Sequence, residues 1–325
     1  MKQTFCYTVA DLAPYVNWLY YFHAWGFAPR MAAVATLHDC AACRQAWLKA
    51  LPAEEQAQGR AALDLMADTR RRMATDGHRW AVRARLGLFH AWSEGEDIVV
   101  QTDASGQVRL PLLRQQASRQ PDAPLLCLSD FVAPRSVACQ YPLELPLTPS
   151  DDEADFRRRC ASAVGVFATT AEPDGTPAAT EAGAHYATRM EQTLLDRLAE
   201  AAAEKLHEDV RRRIWGYAPQ ESLTPAELFA EKYTGRRPAV GYPSLPDISL
   251  NFDLAQLIDF HAIGISLTEN GMMQPAASVS GLMLAHPATR HFAVGPVGED
   301  QLADYARRRG RPVEEVRRFL RQTQN

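Results

Sequence analysis

The residues best suited to hold a small charged ligand stand in one stretch, TGRRPAVGYPSLPD, whose prolines and glycines exclude a regular helix or a central strand. A stiff loop of this kind fixes backbone amides and carbonyls at little entropic cost, and the Arg237 guanidinium can fork onto a carboxylate. The same composition suits a rigid connector, so composition alone leaves both readings open. Glu200, Glu204 and Glu208 form a second set, placed at i, i+4 and i+8 of a helix and opposite Leu198 and Leu206. Carboxylates in line suit a cation such as an ammonium or a sulfonium. For Glu204 and Glu208 the favoured alternative is a solvated face paired with Arg197, Arg211 and Arg212. A third stretch, AASVSG at 276–281, is built of small residues that let a backbone approach a flat partner, or that simply pack tightly in a sheet.

Cysteine usage points away from a scaffold of disulfides, because six cysteines scattered over 325 residues are too few. Only His38, Cys40 and Cys43 have ligand-like spacing. A closed zinc site needs four ligands, usually two such pairs, and no second pair occurs. The sequence therefore predicts no metal and reads these as reduced thiols packed in the core. The net charge of −4 gives no electrostatic reason to expect nucleic acid or anionic membrane. The uncharged run from Leu12 to Pro29 contains Pro14, Asn17, His23 and Gly26, which suits a buried aromatic segment rather than a membrane span. With no signal-peptide pattern at the N-terminus, the expected location is cytoplasmic. The common nucleotide and hydrolase signatures, G-x-G-x-x-G, the P-loop and G-x-S-x-G, are absent.

These residues need elements to position them. Residues 5–75 read as mostly helical. Strands are expected at Leu86–His90, Ile98–Gln101, Leu125–Leu128 and Ala163–Thr169, with turns at Asp103–Gly106 and around Pro173–Gly175. The strongest helical signal runs from Glu181 to about Tyr217, where Leu195, Leu198, Ala202, Leu206, Val210 and Ile214 make one apolar stripe closed by Gly216 and Pro219. Thr224 and Pro225 open a short helix. A helix at Asp253–Ile263, strand-like segments at 264–268, 278–284 and Phe292–Val294, and two tail helices broken at Gly310–Pro312 complete the reading. Strands followed by helices without regular βαβ alternation argue an α+β fold, with a mixed, largely antiparallel sheet flanked by helices. Residues 1–325 are expected to form one domain.

Several segments together resemble one family from end to end: YVNWLYYFHAWGF (15–27), LGLFHAWSEGEDIVV (86–100), LLCLSDFVAP (125–134), DRLAEAAAEKLHEDVRRRIWGYAP (196–219), RRPAVGYPSLPD (236–247), IGISLTENGMMQPAASVSGLMLAHP (263–287), RHFAVG (290–295) and EDQLADYARRRG (299–310). The chain resembles the activation domain of cobalamin-dependent methionine synthase. The combination of R-P-A-x-G-Y-P, L-T-E and A-S-V-S-G with a following H-P carries the resemblance; no single motif would.

The resemblance implies a domain that binds S-adenosylmethionine and faces cobalamin carried by the rest of the enzyme. Cofactor that has oxidised to inactive cob(II)alamin receives an electron from flavodoxin or a similar donor, and S-adenosylmethionine methylates the reduced form. By the same resemblance Arg237 holds the ligand's carboxylate, Ala239 and Tyr242 contact it mainly through backbone with Gly241 in the same loop, and Glu200 meets its amino group. Asp196 matches an aspartate on the cobalamin side. Asn17 stands where the family usually has Asp, and His291 where it has Tyr; both belong to the expected binding residues and put its strength in question. The chain is expected to lack the base-off corrinoid motif D-x-H-x-x-G and to receive cobalamin on a separate methionine synthase without this domain. The tail arginines (Arg307, Arg308, Arg309, Arg311, Arg317, Arg318, Arg321) are expected to form a solvated face touching an acidic donor. The alternative is a non-catalytic module that docks on a corrinoid protein and controls its conformation.

Overall fold

In the computed structural model, residues 1–102, 106–117, 123–148, 150–174 and 184–321 are described. Its strands are β1 (Lys2–Tyr7), β2 (Trp80–Glu94), β3 (Asp97–Gln101), β4 (Gln107–Pro111), β5 (Ala163–Pro173), β6 (Ser266–Leu267), β7 (Met273–Gln274) and β8 (Ser278–Met283). The helices are α1 (Val9–Leu12), α2 (Trp18–Ala24), α3 (Ala41–Ala50), α4 (Gln56–Asp76), α5 (Arg135–Ala138), α6 (Glu153–Ala161), α7 (Ala184–Asp209), α8 (Pro225–Phe229), α9 (Leu250–Ile258), α10 (Glu299–Arg309) and α11 (Val313–Arg321).

The main sheet runs β4-β3-β2-β5-β8, with β1 paired off this path to β2 opposite β5, and every ladder is antiparallel. Among the described residues a parallel contact occurs only as the isolated bridge Ser93–Pro134. Strand β2 organises the sheet: its first part lies between β1 and β5, and its last residues, Ala91–Glu94, pair with β3. Successive side chains point to opposite faces. Ala84, Leu86, Leu88 and Phe167 pack against Ala203, Leu206 and Val210 of the α7 region, whereas Phe89, Ala91, Val164, Val166 and Ala168 pack against Leu250, Leu254, Leu257 and Ile258. Helices thus cover both faces, and the apolar stripe read in the sequence is the buried side of α7. Its alanines let it lie close to the sheet, where the Thr169 hydroxyl donates to the Ala199 carbonyl at 2.9 Å.

The α+β class holds, and several local expectations are corrected. Residues 2–7 are a strand, because the β2 edge needs a partner. Leu125–Leu128 and Phe292–Val294 are not strands: they are apolar and partly buried, but no ladder includes them. The long helix ends at Asp209 in a wider turn, Val210–Ile214, and Gly216 leaves it at φ +78°. Helix α9 stops at Ile258 because Asp259 turns left-handed, φ +55°, before the short turn Phe260–Ile263. The expected turns over 103–105 and 175 and the helix start at 181 lie outside the described residues.

Of the tail arginines, Arg307 and Arg318 are exposed as a solvated face requires, but others are held by carboxylates. Arg309 is almost wholly buried and bonds Asp253 at 2.6 Å; Arg308 bridges Asp97 and Asp304, Arg307 pairs with Asp304, Arg311 with Glu315 and Arg317 with Glu299. Arg309–Asp253 and Arg308–Asp97 fasten α10 to the rest of the chain, and Arg317–Glu299 ties α11 to α10. Cys40 and Cys43 are not core thiols either: both are partly exposed at the start of α3. No helix of the described residues is long and apolar enough to cross a membrane.

Candidate functional site

The proline-rich loop is ordered by β8. Arg236 exchanges backbone hydrogen bonds with Leu284, the Val240 amide donates to Ser280, and the Leu282 amide donates to the Pro238 carbonyl at 3.0 Å. Residues 236–240 therefore continue the sheet edge. Gly281 makes this possible: a Cβ there would collide with the Pro238 carbonyl and come within 2.8 Å of the Ala239 Cα. The small-residue stretch is thus explained by backbone meeting backbone. Alternation along the pair directs the Ala239 amide away from β8. At Gly241, φ +87°, the chain doubles back, with the Gly241 amide donating to Leu245 and the Leu245 amide to Tyr242.

This edge, α7, the aromatic segment and the end of α8 enclose a cleft of about 780 Å³, within the usual range for small-molecule sites. Asn17, Glu200, Arg237, Ala239, Tyr242 and His291 all line it, although they come from widely separated parts of the chain. Asp196 and Gly241 do not line it. Asp196 sits one turn before Glu200 on α7, where burial, opposed by Arg197 and reinforced by Glu200, raises its carboxyl above the usual range. Gly241 acts through the turn it permits. Asn17 caps α2, its side-chain oxygen accepting from the Leu19 amide at 3.2 Å.

Arg237 and Glu204 form the centre. The guanidinium lies 3.3 Å from Glu204, 3.4 Å from Nδ1 of His207, and over the Phe167 ring. Only 13% of the Arg237 side chain and 12% of Glu204 are exposed. Glu204 is therefore not on a solvated face, because the loop and α7 close over it, and its Oε1 is buried without a partner among the described residues. Glu208 does pair with Arg212, and it also accepts from the Tyr15 hydroxyl. Arg211 departs from the expected surface pairing: it is fully buried, bonded to Glu221 at 2.7 Å, and stacked on Tyr233.

Glu200 accepts from the Tyr242 hydroxyl at 3.0 Å. The neighbouring carboxylate and burial push this phenol up to about 12. The Tyr242 amide and carbonyl close the turn, while its hydroxyl reaches Glu200 at the cleft wall. His291 faces Glu231 at 3.4 Å, and burial lowers its imidazole against the opposing pull of Glu231.

Sequence reasoning missed Tyr15, Tyr20, Phe229, Glu231, Tyr233 and Phe292 as cleft residues. Glu231 has left-handed backbone, φ +53°, just past α8, where glycine is usual. That conformation costs roughly 1–2 kcal/mol for a residue with a Cβ, and it turns the Glu231 carboxylate to the cleft wall. No sequence pattern signals it. Tyr15 and Tyr20 were legible only as members of the aromatic segment. Taken together, the cleft offers acidic groups (Glu200, Glu204, Glu231) beside a nearly buried guanidinium, with Tyr20, Phe229, Tyr242 and Phe292 as aromatic surfaces.

One further expectation fails on the sequence itself. Residues Asp259–Gly264 read DFHAIG and match the D-x-H-x-x-G spacing. Here the stretch is a tight turn after α9, with Asp259 and Gly264 both left-handed and Phe260 and Ile263 anchored in the core. No parallel sheet with a switch-point crevice accompanies it among the described residues.

Two comparisons bear on this arrangement. A solved structure of the MetH reactivation domain bound to AdoHcy is 30% identical to this chain, covers 98% of it and 89% of its own length, and superposes with a TM-score of 0.77. The family model described as vitamin B12 dependent methionine synthase, activation domain, matches residues 8–310. With most of its length matched in sequence and nearly all of it in structure, the chain belongs to the activation-domain family of vitamin B12-dependent methionine synthase.

Proposed function

We propose that this chain binds S-adenosylmethionine in the cleft and supports reductive methylation of cobalamin carried outside residues 1–325 on a methionine synthase. The observation that carries the reading is the Arg237–Glu204 centre with Glu200 and Glu231 beside it. A ligand with a carboxylate, an ammonium and a sulfonium needs one fixed cation and several anions within a few ångströms, and this cleft has both. The relative of similar structure is bound to AdoHcy, the compound left when S-adenosylmethionine gives up its methyl group.

Arg237 contacts its present partners only at 3.3–3.4 Å, so its donors remain available to a carboxylate. The Ala239 amide, directed away from β8, supplies a second donor. Glu200 takes the amino group and releases Tyr242 to cover the ligand. The unpartnered Oε1 of Glu204 accepts from the ligand or from a water. Asn17 provides a carbonyl oxygen, but that oxygen already caps α2, and a neutral amide attracts a cation less than a carboxylate does. Asp196, one turn before Glu200 on α7, is the residue that the family resemblance puts toward cobalamin, and His291 lines the cleft beside Glu231. When bound at the cleft, cobalamin supplies the nucleophilic cobalt. The chain contributes geometry: it holds the methyl donor in position and excludes water.

The partner in this reading is a cobalamin-bearing methionine synthase lacking this domain, with a flavodoxin-like electron donor. The test is reactivation of such an enzyme in its oxidised state, with reduced flavodoxin and S-adenosylmethionine. Methylcobalamin is expected only when the chain is added, at a rate that saturates with its concentration. Equal rates with and without it would remove the reading. Reactivation that fails together with absence of S-adenosylmethionine binding in calorimetry would leave the non-catalytic docking module.

A further inference from the structure

We propose that His38, Cys40 and Cys43 form a surface site for a thiophilic d¹⁰ cation, Zn²⁺ or Cu⁺, apart from the S-adenosylmethionine cleft. The imidazole nitrogen and the two sulfurs lie within 4.8 Å of one another. A tetrahedral ion with metal–sulfur bonds of about 2.3 Å and metal–nitrogen bonds of about 2.0 Å needs ligand atoms about 3.5–3.8 Å apart. The difference of about 1 Å is of the size that a side-chain torsion covers.

The backbone already has the shape such a site needs. The Cys40 amide donates to the His38 carbonyl at 2.9 Å, and the Arg44 amide to the Cys40 carbonyl at 3.1 Å. Cys40 caps α3, and its sulfur accepts from the Cys43 amide at 3.2 Å. An amide directed at a sulfur stabilises the thiolate that a metal requires. The turn is tied down from outside. Asp39 lies 3.4 Å from Arg44 and 3.6 Å from Arg70, and Arg70 also donates to the Ala35 carbonyl at 3.0 Å. Asp39 is thereby held by two guanidinium groups and stands outside the set of three ligands.

Access is open: His38 is exposed, and Cys40 and Cys43 are partly exposed. Binding of Zn²⁺ displaces the two thiol protons to solvent, keeps the imidazole neutral, and leaves the metal with a fourth position for water or a donor from another molecule. Cu⁺ needs no fourth ligand. The sequence holds no second cysteine pair to close a four-ligand structural site. A surface site with three protein ligands does not require one.

The test uses the whole chain, reduced and free of oxygen. Zn²⁺ is titrated against a chromophoric chelator, and Cu⁺ separately against a copper(I) chelator. One equivalent of at least one ion is expected per chain. Cys40→Ser and Cys43→Ser should each weaken it by more than the roughly 10–100-fold that follows loss of an outer-layer partner, and His38→Ala should weaken it as well. Bound metal should also protect Cys40 and Cys43 from iodoacetamide while the exposed Cys6 and Cys139 still react. Failure of both ions to bind overturns the proposal, as does binding that survives the Cys40→Ser/Cys43→Ser double variant. Binding unchanged in His38→Ala rejects the three-ligand site.

Discussion

Replacing Arg237 with alanine separates what this residue does for the fold from what it does for a ligand. The substitution leaves the Glu204 carboxylate, 12% exposed, without its cation. Removing one partner of such an enclosed pair costs about 3–5 kcal/mol of stability. It also deletes a charge-assisted hydrogen bond to the ligand, about 1.5–3 kcal/mol, or roughly 10- to 150-fold in Kd. Adding Glu204→Gln removes the stranded charge. The double variant is therefore expected to recover most of the lost stability while its affinity for S-adenosylmethionine stays about 10- to 150-fold below that of Glu204→Gln alone. Urea unfolding and calorimetric titration of the three variants read the two quantities independently. If the double variant binds as well as Glu204→Gln, Arg237 does not hold the ligand. If Arg237→Ala unfolds at the same urea concentration as the parent, Glu204 is not enclosed and the electrostatic account of the cleft fails.

Asn17→Asp should tighten S-adenosylmethionine binding by placing a carboxylate at the cleft wall, and should keep or slightly raise thermal stability because Asp caps α2 as well as Asn does; weaker binding in calorimetry would show that the cleft is adapted to the amide. Gly281→Ala should destabilise by about 1–3 kcal/mol through overpacking against Pro238 and Ala239 and weaken ligand binding with it, whereas unaltered urea unfolding would rule out the close backbone approach. Burial, then Arg211, Arg237 and Arg236, hold the His207 imidazole well below its usual 6.5. The unfolded chain therefore binds this proton first: the contribution is complete above pH 6.5, and stability falls as pH drops below it, by at most about 1.4 kcal/mol per pH unit from this group. In urea titrations between pH 7.5 and 5, His207→Gln should flatten that slope; an unchanged slope would assign it elsewhere.

What could be read from the sequence is what neighbouring residues decide. The stripe of α7, the Thr224 cap with Pro225, the break at Gly310 and the stiffness of the Arg236–Asp247 loop depend on residues within a few positions of each other. The family motifs add the expected identities of Asn17, Glu200, Arg237, Ala239, Tyr242 and His291, which the fold brings to one cleft. Pairing across the chain decided the rest. Residues 2–7 are a strand because β2 presents an open edge, while Leu125–Leu128 and Phe292–Val294, with stronger apolar signals, have no ladder to join. Glu204 reads as surface until the loop 33 positions away closes over it, and Arg309 reads as a basic tail until Asp253 receives it. Cys40 and Cys43 have a visible spacing, but their exposure does not follow from it. Periodicity fixes which side of a helix is apolar. Which charge meets which, and which backbone lies close enough to exclude a Cβ, depends on distances between elements that come together only when the sheet forms.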